Sequence, residues 1–138
     1  MSQYISAFGE HVIASEIEAA MAQAQKIHGF SITEFCVAPH VNPDDQALAY
    51  HEWFIEFDHI ENEISKIEET LNEALCNRNS YYKDLIVGKI LDRLKIRVVR
   101  KDGFKEYMMS INKYGEQFKV QRLSNDRKVA VEMKKKLL

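Results

Sequence analysis

The chain has 138 residues, enough for one domain that buries roughly two-thirds of the surface its unfolded form exposes. Hydrophobic residues make up 46% and charged residues 29%, an ordinary balance for a soluble globular protein. The formal net charge of −2 argues against nucleic-acid binding as the main activity, because phosphate recognition needs a basic field. Met1 to Glu10 lacks a basic start followed by an apolar run, and no apolar stretch approaches the ~20 residues that cross a bilayer. Neither a signal peptide nor a membrane span is expected, and the protein reads as cytoplasmic.

With two prolines and five glycines, the elements should be long and the loops few. Tyr4 to Phe8 reads as a short strand ending at Gly9. Ser15 followed by Glu18 forms a capping-box pattern for a helix with Ile17, Ala20, Met21, Ala24 and Ile27 on one face, stopped by Gly29. Strands are predicted over Ile32–Val37 and Leu48–Phe57, joined by a linker from Pro39 to Gln46 whose Asn42-Pro43-Asp44-Asp45 favours turn geometry. In the second strand His51, Trp53, Ile55 and Phe57 share one face, and Glu52 and Glu56 the other, which implies a solvated face or pairing with cations on a neighbouring strand.

Glu61 to Cys76 has the period of an amphipathic helix, with Ile64, Ile67, Leu71 and Leu75 inward. Ser80 is placed to cap a second helix reaching about Leu91. Leu94, Ile96 and Val98 then alternate with Lys95 and Arg97, a third strand with one basic face. Asp102-Gly103 turns the chain into a helix carrying Phe104, Tyr107, Met108 and Ile111, which Gly115 ends. A last helix runs to Lys134-Lys135-Lys136, where cations oppose the C-terminal dipole. This order predicts an α+β fold, a small mixed or antiparallel sheet of three to five strands packed against helices in a two-layer or three-layer sandwich.

No complete active site is visible. The sequence has no Gly-rich phosphate loop and no His/Cys cluster at metal spacing, and its five histidines show no i, i+3 or i, i+4 pairing, so no metal is expected. Cys36 and Cys76 lie far apart in apolar contexts and read as reduced core thiols. The stretch from Gln117 to Arg127 is the most informative. Its Lys119 sits between a Gln-aromatic pair and Arg122, and a lysine without a pocket of its own can act by delivery to a pocket on another domain.

The run Ile5 to Glu18, with Gly9 and Glu16-Ile17-Glu18, resembles the segment just past the hinge of adenylate-forming enzymes. His51-Glu52-Trp53-Phe54-Ile55-Glu56-Phe57 is similar to the central strand of the bacterial branch of the Gretchen Hagen family, the acyl acid–amido synthetases first described as auxin-responsive proteins. The same holds for Leu71-Asn72-Glu73-Ala74-Leu75 with Asn79, Ser80 and Tyr82, and for Lys119-Val120-Gln121-Arg122-Leu123-Ser124-Asn125-Asp126-Arg127. The resemblance covers nearly the whole chain but only the C-terminal domain of that family. One departure is Gln121, where family members usually carry proline, which loosens the loop after Lys119.

The resemblance implies that residues 1–138 are a single lid domain, with a hinge near 5–10 and a catalytic-lysine loop near 115–127. It implies Lys119 as the catalytic residue and Gly9 and Glu10 as hinge or interdomain residues. Arg122 and Arg127 would support the loop or meet phosphate. The chain alone would bind no cofactor. ATP and Mg would belong to the intact enzyme, as would a large N-terminal adenylating domain, an acyl acid and an amino-acid-like amine. The other reading left open by the residues is a free-standing, non-enzymatic α+β module that binds a ligand or a partner protein.

Overall fold

The computed structural model describes residues 4–5, 8–40, 48–111, 122–123 and 127–138. The elements in order are β1 (Tyr4–Ile5), β2 (Val12–Ile13), α1 (Ala14–His28), β3 (Ser31–His40), β4 (Tyr50–His59), α2 (Ile64–Arg78), α3 (Ser80–Val87), β5 (Lys95–Val98), α4 (Gly103–Ser110) and α5 (Lys128–Lys134). β1 and β2 pair antiparallel as a separate ribbon. The main sheet has the order β3-β4-β5, with β3 antiparallel and β5 parallel to the central strand. The sheet is therefore mixed, and α2 and α3 form the crossover that a parallel β4–β5 pair requires.

Alternation along the strands sends side chains into two separate cores. Phe35, Val37, Trp53, Ile55 and Ile96 face α1, α2 and α3, where Ile17, Met21, Ile67, Leu71 and Tyr82 meet them. Cys36, Ala38, Phe54 and Val99 face the opposite way, against Phe104 and Met108 of α4 and Ala130 and Met133 of α5. The result is a three-layer α+β sandwich, helices on each side of a sheet three strands wide. Trp53 is fully buried and stacks on Phe35 across the β3–β4 pair, ring centroids 5.8 Å apart and nearly parallel.

The C-terminal stretch spans the second face and covers both sheet edges. Leu123 bridges to Val37 on the outer edge of β3, with Val37 N–H donating to the Arg122 carbonyl at 2.7 Å. Leu137 bridges to Val99 at the far edge, and Leu138 N–H donates to the Val98 carbonyl at 3.0 Å. Exposed edges are templates for unwanted pairing, and here one short stretch covers part of both.

Several local features differ from the sequence expectation. Helix α1 is capped two residues earlier, with Ile13 as N-cap, and it is Glu16 rather than Glu18 that reaches back to the Ile13 N–H at 3.0 Å. Gly29 closes the helix in the left-handed conformation, φ 70°, as expected. Ile27 is 59% exposed rather than inward. β3 continues through Pro39 and His40, which an edge strand tolerates because the missing N–H can face away from the ladder. Asn79, not Ser80, caps α3, accepting from Tyr82 N–H at 2.8 Å, and that helix ends at Val87. Between β5 and α4 the left-handed residue is Asp102, φ 66°, while Gly103 is already helical and its missing Cβ leaves room for Val99. Helix α4 ends at Ser110 with Ile111 exposed. Gly115 lies outside the described residues.

Both thiols are free, and burial, with the negative charges of Glu34 and Glu52, pushes the Cys36 thiol far up, as suits an inert core cysteine. Among the described residues no helix is long and apolar enough to cross a membrane.

Truncating Trp53 to alanine removes the largest side chain of the first core and its stack on Phe35. The expected loss is about 3–5 kcal/mol of unfolding free energy. Urea denaturation followed by circular dichroism measures it, and an unchanged midpoint would mean that the indole contributes no packing.

Candidate functional site

Two clusters of buried polar groups flank the sheet, and of the residues singled out in the sequence Glu10 falls in the first and Arg127 in the second. The first lies beside the turn between β1 and β2. Gly9 adopts φ 87°, a conformation that glycine accepts without strain, and Glu10 follows it with no exposed surface. One carboxylate oxygen of Glu10 accepts the Phe8 N–H at 2.8 Å, and the other accepts His51 Nε2 at 2.6 Å. A carboxylate only accepts, so Nε2 carries the proton. Burial pushes the Glu10 carboxyl upward, but the bonds from His51 and from backbone N–H groups outweigh it and hold the group below the usual carboxylate value. The His51 ring packs on Tyr82, whose hydroxyl donates to Asn72 at 2.6 Å. Both Glu10 oxygens are thus engaged within the domain itself.

Beside this network an open cleft of about 310 Å³ lies between the starts of α1 and α3, lined by His11, Ile13, Glu16, Asn79 and Tyr81 among others. Its one carboxylate, Glu16, already accepts from Ile13 N–H and from Asn79 Nδ2 at 3.0 Å, so it acts as a brace between the two helices.

The second cluster occupies the other face of the sheet and contains Arg127. Glu52 has no exposed surface although it sits on the face expected to be solvated. Cations account for the difference, and the alternative expectation, pairing with a neighbouring strand, holds for it. Arg97 Nε of β5 lies 2.7 Å from one Glu52 oxygen and Arg127 Nη2 2.8 Å from the other, while Lys134 of α5 approaches to 3.8 Å. Burial raises the Glu52 pKa, and the two arginine hydrogen bonds with the Lys134 charge more than reverse that. Arg97 also donates to the Tyr50 hydroxyl at 3.0 Å, and Arg127 Nη1 donates to the Pro39 carbonyl at 3.2 Å. Glu56, four residues further along the strand, accepts the N–H groups of Asp102 and Phe104 at 2.9 and 3.1 Å, anchoring the start of α4.

Arg122 anchors the chain at the β3 edge. Its Nε donates to Glu34 at 3.1 Å, its Nη1 lies 3.4 Å from Glu18 on α1, and its guanidinium sits 4.8 Å over the Phe35 ring. Arg122 and Arg127 therefore both support the fold in this structure, and they hold opposite ends of one sheet strand. Lys119 lies outside the described residues, and the described chain resumes three positions later at Arg122. Sequence reasoning missed the partners Tyr50, Arg97 and Lys134. The signal was available in β4, where Tyr50 and Phe54 share the Glu52 face and mark it as buried.

Residues 15–128 match the GH3 family C-terminal domain. The chain belongs to that family. Among solved structures, this GH3 C-terminal domain resembles one described as GH3.15 acyl acid amido synthetase, with a TM-score of 0.78 at 15% identity. It also resembles one described as AtGH3.15 acyl acid amido synthetase in complex with 2,4-DB, with a TM-score of 0.74 at 15% identity. Each likeness covers 99% of this chain but 26% of the other, so the domain spans about a quarter of those structures, and at that identity the likeness is one of fold. No curated protein matches the sequence.

The folded-state pKa values of Glu10 and Glu52 lie below the ordinary 4.5, so proton uptake is weaker in the folded chain than in the unfolded one. Their stabilisation is therefore present above pH 4.5 and is lost as pH falls through the depressed values. Urea midpoints measured from pH 7 down to pH 3 should fall steeply in this window. Glu52→Gln should cost about 2–3 kcal/mol at pH 7, since it leaves the half-buried Arg97 and Arg127 without their counter-charge, and should flatten the acid limb. An acid limb as steep as the parent's would show that Glu52 does not carry the dependence.

Proposed function

We propose that this GH3 C-terminal domain is the mobile lid of an ATP-dependent amido synthetase that forms an acyl-adenylate and then transfers the acyl group to an amine. The observation that carries the reading is the family match over residues 15–128, joined to the fold shared with structures described as acyl acid amido synthetases. The motif around His51–Phe57 supports placement in the family's bacterial branch.

In this reading a large N-terminal domain holds ATP, Mg and the acyl acid. The carboxylate of the acid attacks the α-phosphorus, and negative charge builds on phosphate oxygens and on the departing pyrophosphate. Lys119 brings an ammonium to that charge, a contribution on the order of a hundred- to a thousand-fold in rate by analogy with oxyanion donors. The lid then rotates about the Gly9–Glu10 region and closes the site over the amine, often an amino acid, which displaces AMP. Rotation as a unit requires that the lysine loop be held to the lid, and the ion pairs of Arg122 and Arg127 support that requirement.

The isolated 138-residue chain should be folded but inert, because this reading assigns both the ATP cradle and the acid pocket to the N-terminal domain. Acid-dependent pyrophosphate exchange by the chain alone would overturn it. In the intact enzyme, Lys119→Ala should slow acyl-adenylate formation far more than amide formation from preformed adenylate. Arginine at the same position should rescue only in part, its planar fork being bulkier than an ammonium. Single-turnover kinetics of each half-reaction decide the matter, and equal slowing of both would make Lys119 an ordinary surface cation.

A further inference from the structure

The Glu52 cluster holds more positive charge than anchoring α5 requires. Arg97, Arg127 and Lys134 converge on this single carboxylate, and Lys95, 3.9 Å from Asp92, stands beside them over the Tyr50 ring. Among the described residues these contacts set four cations against two carboxylates. The arrangement is also layered. Glu52 is fully enclosed, whereas the side chains of Arg97, Arg127, Lys134 and Lys95 are 34%, 26%, 43% and 41% exposed. The carboxylate forms a floor and the cationic heads form a rim.

Hydrogen-bonding capacity is unbalanced in the same sense. Arg97 uses Nε on Glu52 and Nη2 on Tyr50, and Arg127 uses Nη1 on Pro39 and pairs Nη2 with Glu52, which among the described residues leaves other guanidinium N–H groups to donate. The Tyr50 hydroxyl accepts from Arg97 and keeps its own hydrogen. His40, its ring 5.0 Å from that of Tyr50, reports the field. Burial, followed by the Arg127 charge with Lys134 and Arg97 in the same direction, holds its pKa below the ordinary value against the opposing pull of Glu52. Such a rim, rich in donors and short of acceptors, suits an anion with several oxygens close together, and guanidinium forks match phosphate oxygens in geometry and charge.

We propose that Tyr50, Lys95, Arg97, Arg127 and Lys134, with His40 at their side, form a binding site for a polyphosphate anion, in which Glu52 is the internal counter-ion that fixes the cations. The site stands on this geometry and does not depend on the adenylation reading.

The test is titration of the 138-residue chain with pyrophosphate, ATP and AMP at fixed ionic strength, followed by calorimetry and by the NMR signals of the His40 ring. Pyrophosphate and ATP should bind saturably, with AMP weaker by about tenfold or more. The His40 pKa should rise at saturation, because the bound anion offsets the cationic field. Lys134→Ala and Lys95→Ala should each weaken pyrophosphate binding by about tenfold, while Lys83→Ala on α3 leaves it unchanged. Lys95 lies outside the Glu52 ion pairs, so its effect does not pass through the stability of the fold. Shifts that never saturate, AMP binding as tightly as ATP, a His40 pKa unmoved at saturation, or equal weakening by Lys83→Ala would each overturn the proposal.

Discussion

Strand β4 is buried on both faces, and this constraint organises most of the polar contacts in the molecule. From Tyr50 to Glu56 every residue is enclosed, including His51, Glu52 and Glu56. A buried ionisable group without a partner costs several kcal/mol, so each of these must be met by something brought from another part of the chain. His51 is met by Glu10 from the N-terminal turn, Glu52 by Arg97, Arg127 and Lys134, and Glu56 by the backbone that opens α4. The three sites therefore tie the N-terminal ribbon, the C-terminal stretch and the β5–α4 turn to one strand. Hydrophobic burial alone would hold these pieces near the sheet, whereas directional bonds to fixed carboxylates set where they sit.

The same logic explains why the last seventeen positions of the chain matter to a sheet whose strands all precede them. Leu123 and Leu137 meet opposite edges of the sheet, and between them Ala130 and Met133 of α5 fill the second core. A helix as short as α5 has little stability of its own in water. Its position is set by Arg127 and Lys134 on Glu52 and by the two apolar residues beneath, so helix, edge cover and charge cluster form together or not at all.

What could be read from the sequence follows from the range of the forces involved. The amphipathic faces of α1 and α2, the Gly29 stop and the alternation of β5 are local patterns, and they appear where periodicity places them. The α+β class follows from those elements. The face of β4 that carries Glu52 and Glu56 was read as solvated or cation-paired because alternation alone does not say whether a second layer exists. Tyr50 and Phe54, on the same face as the glutamates, are the clue, since a strand with large apolar residues on both faces is covered on both. The caps of α1 and α3 lie two residues and one residue before the expected ones, because more than one residue near each start can serve as a cap. Glu16 and Asn79 won over Glu18 and Ser80, and Asn79 also bonds the His11 carbonyl from a distance in sequence that no local rule covers. The long-range partners Arg97 and Lys134 are legible only once the topology puts β5 and α5 beside β4.

The departure at Gln121 can be weighed in these terms. A proline there would fix one backbone angle and so restrict the chain locally. In this chain the position immediately after it is restricted from outside. The Arg122 carbonyl accepts from Val37, the Arg122 side chain reaches Glu34 and Glu18, and Leu123 is almost fully buried in the first core. Each contact is long-range, 85 residues or more in sequence for the Val37, Glu34 and Glu18 partners (Arg122 − Val37 = 85). A single torsional restraint is worth on the order of 1 kcal/mol in chain entropy. A backbone hydrogen bond, a guanidinium bonded to one carboxylate and stacked on an aromatic ring, and an enclosed leucine together exceed that. For a domain proposed to carry a lysine between two orientations, such an anchor has a further advantage over proline. It ties the segment to the sheet itself, so that a rotation of the sheet is transmitted to the loop rather than absorbed by it.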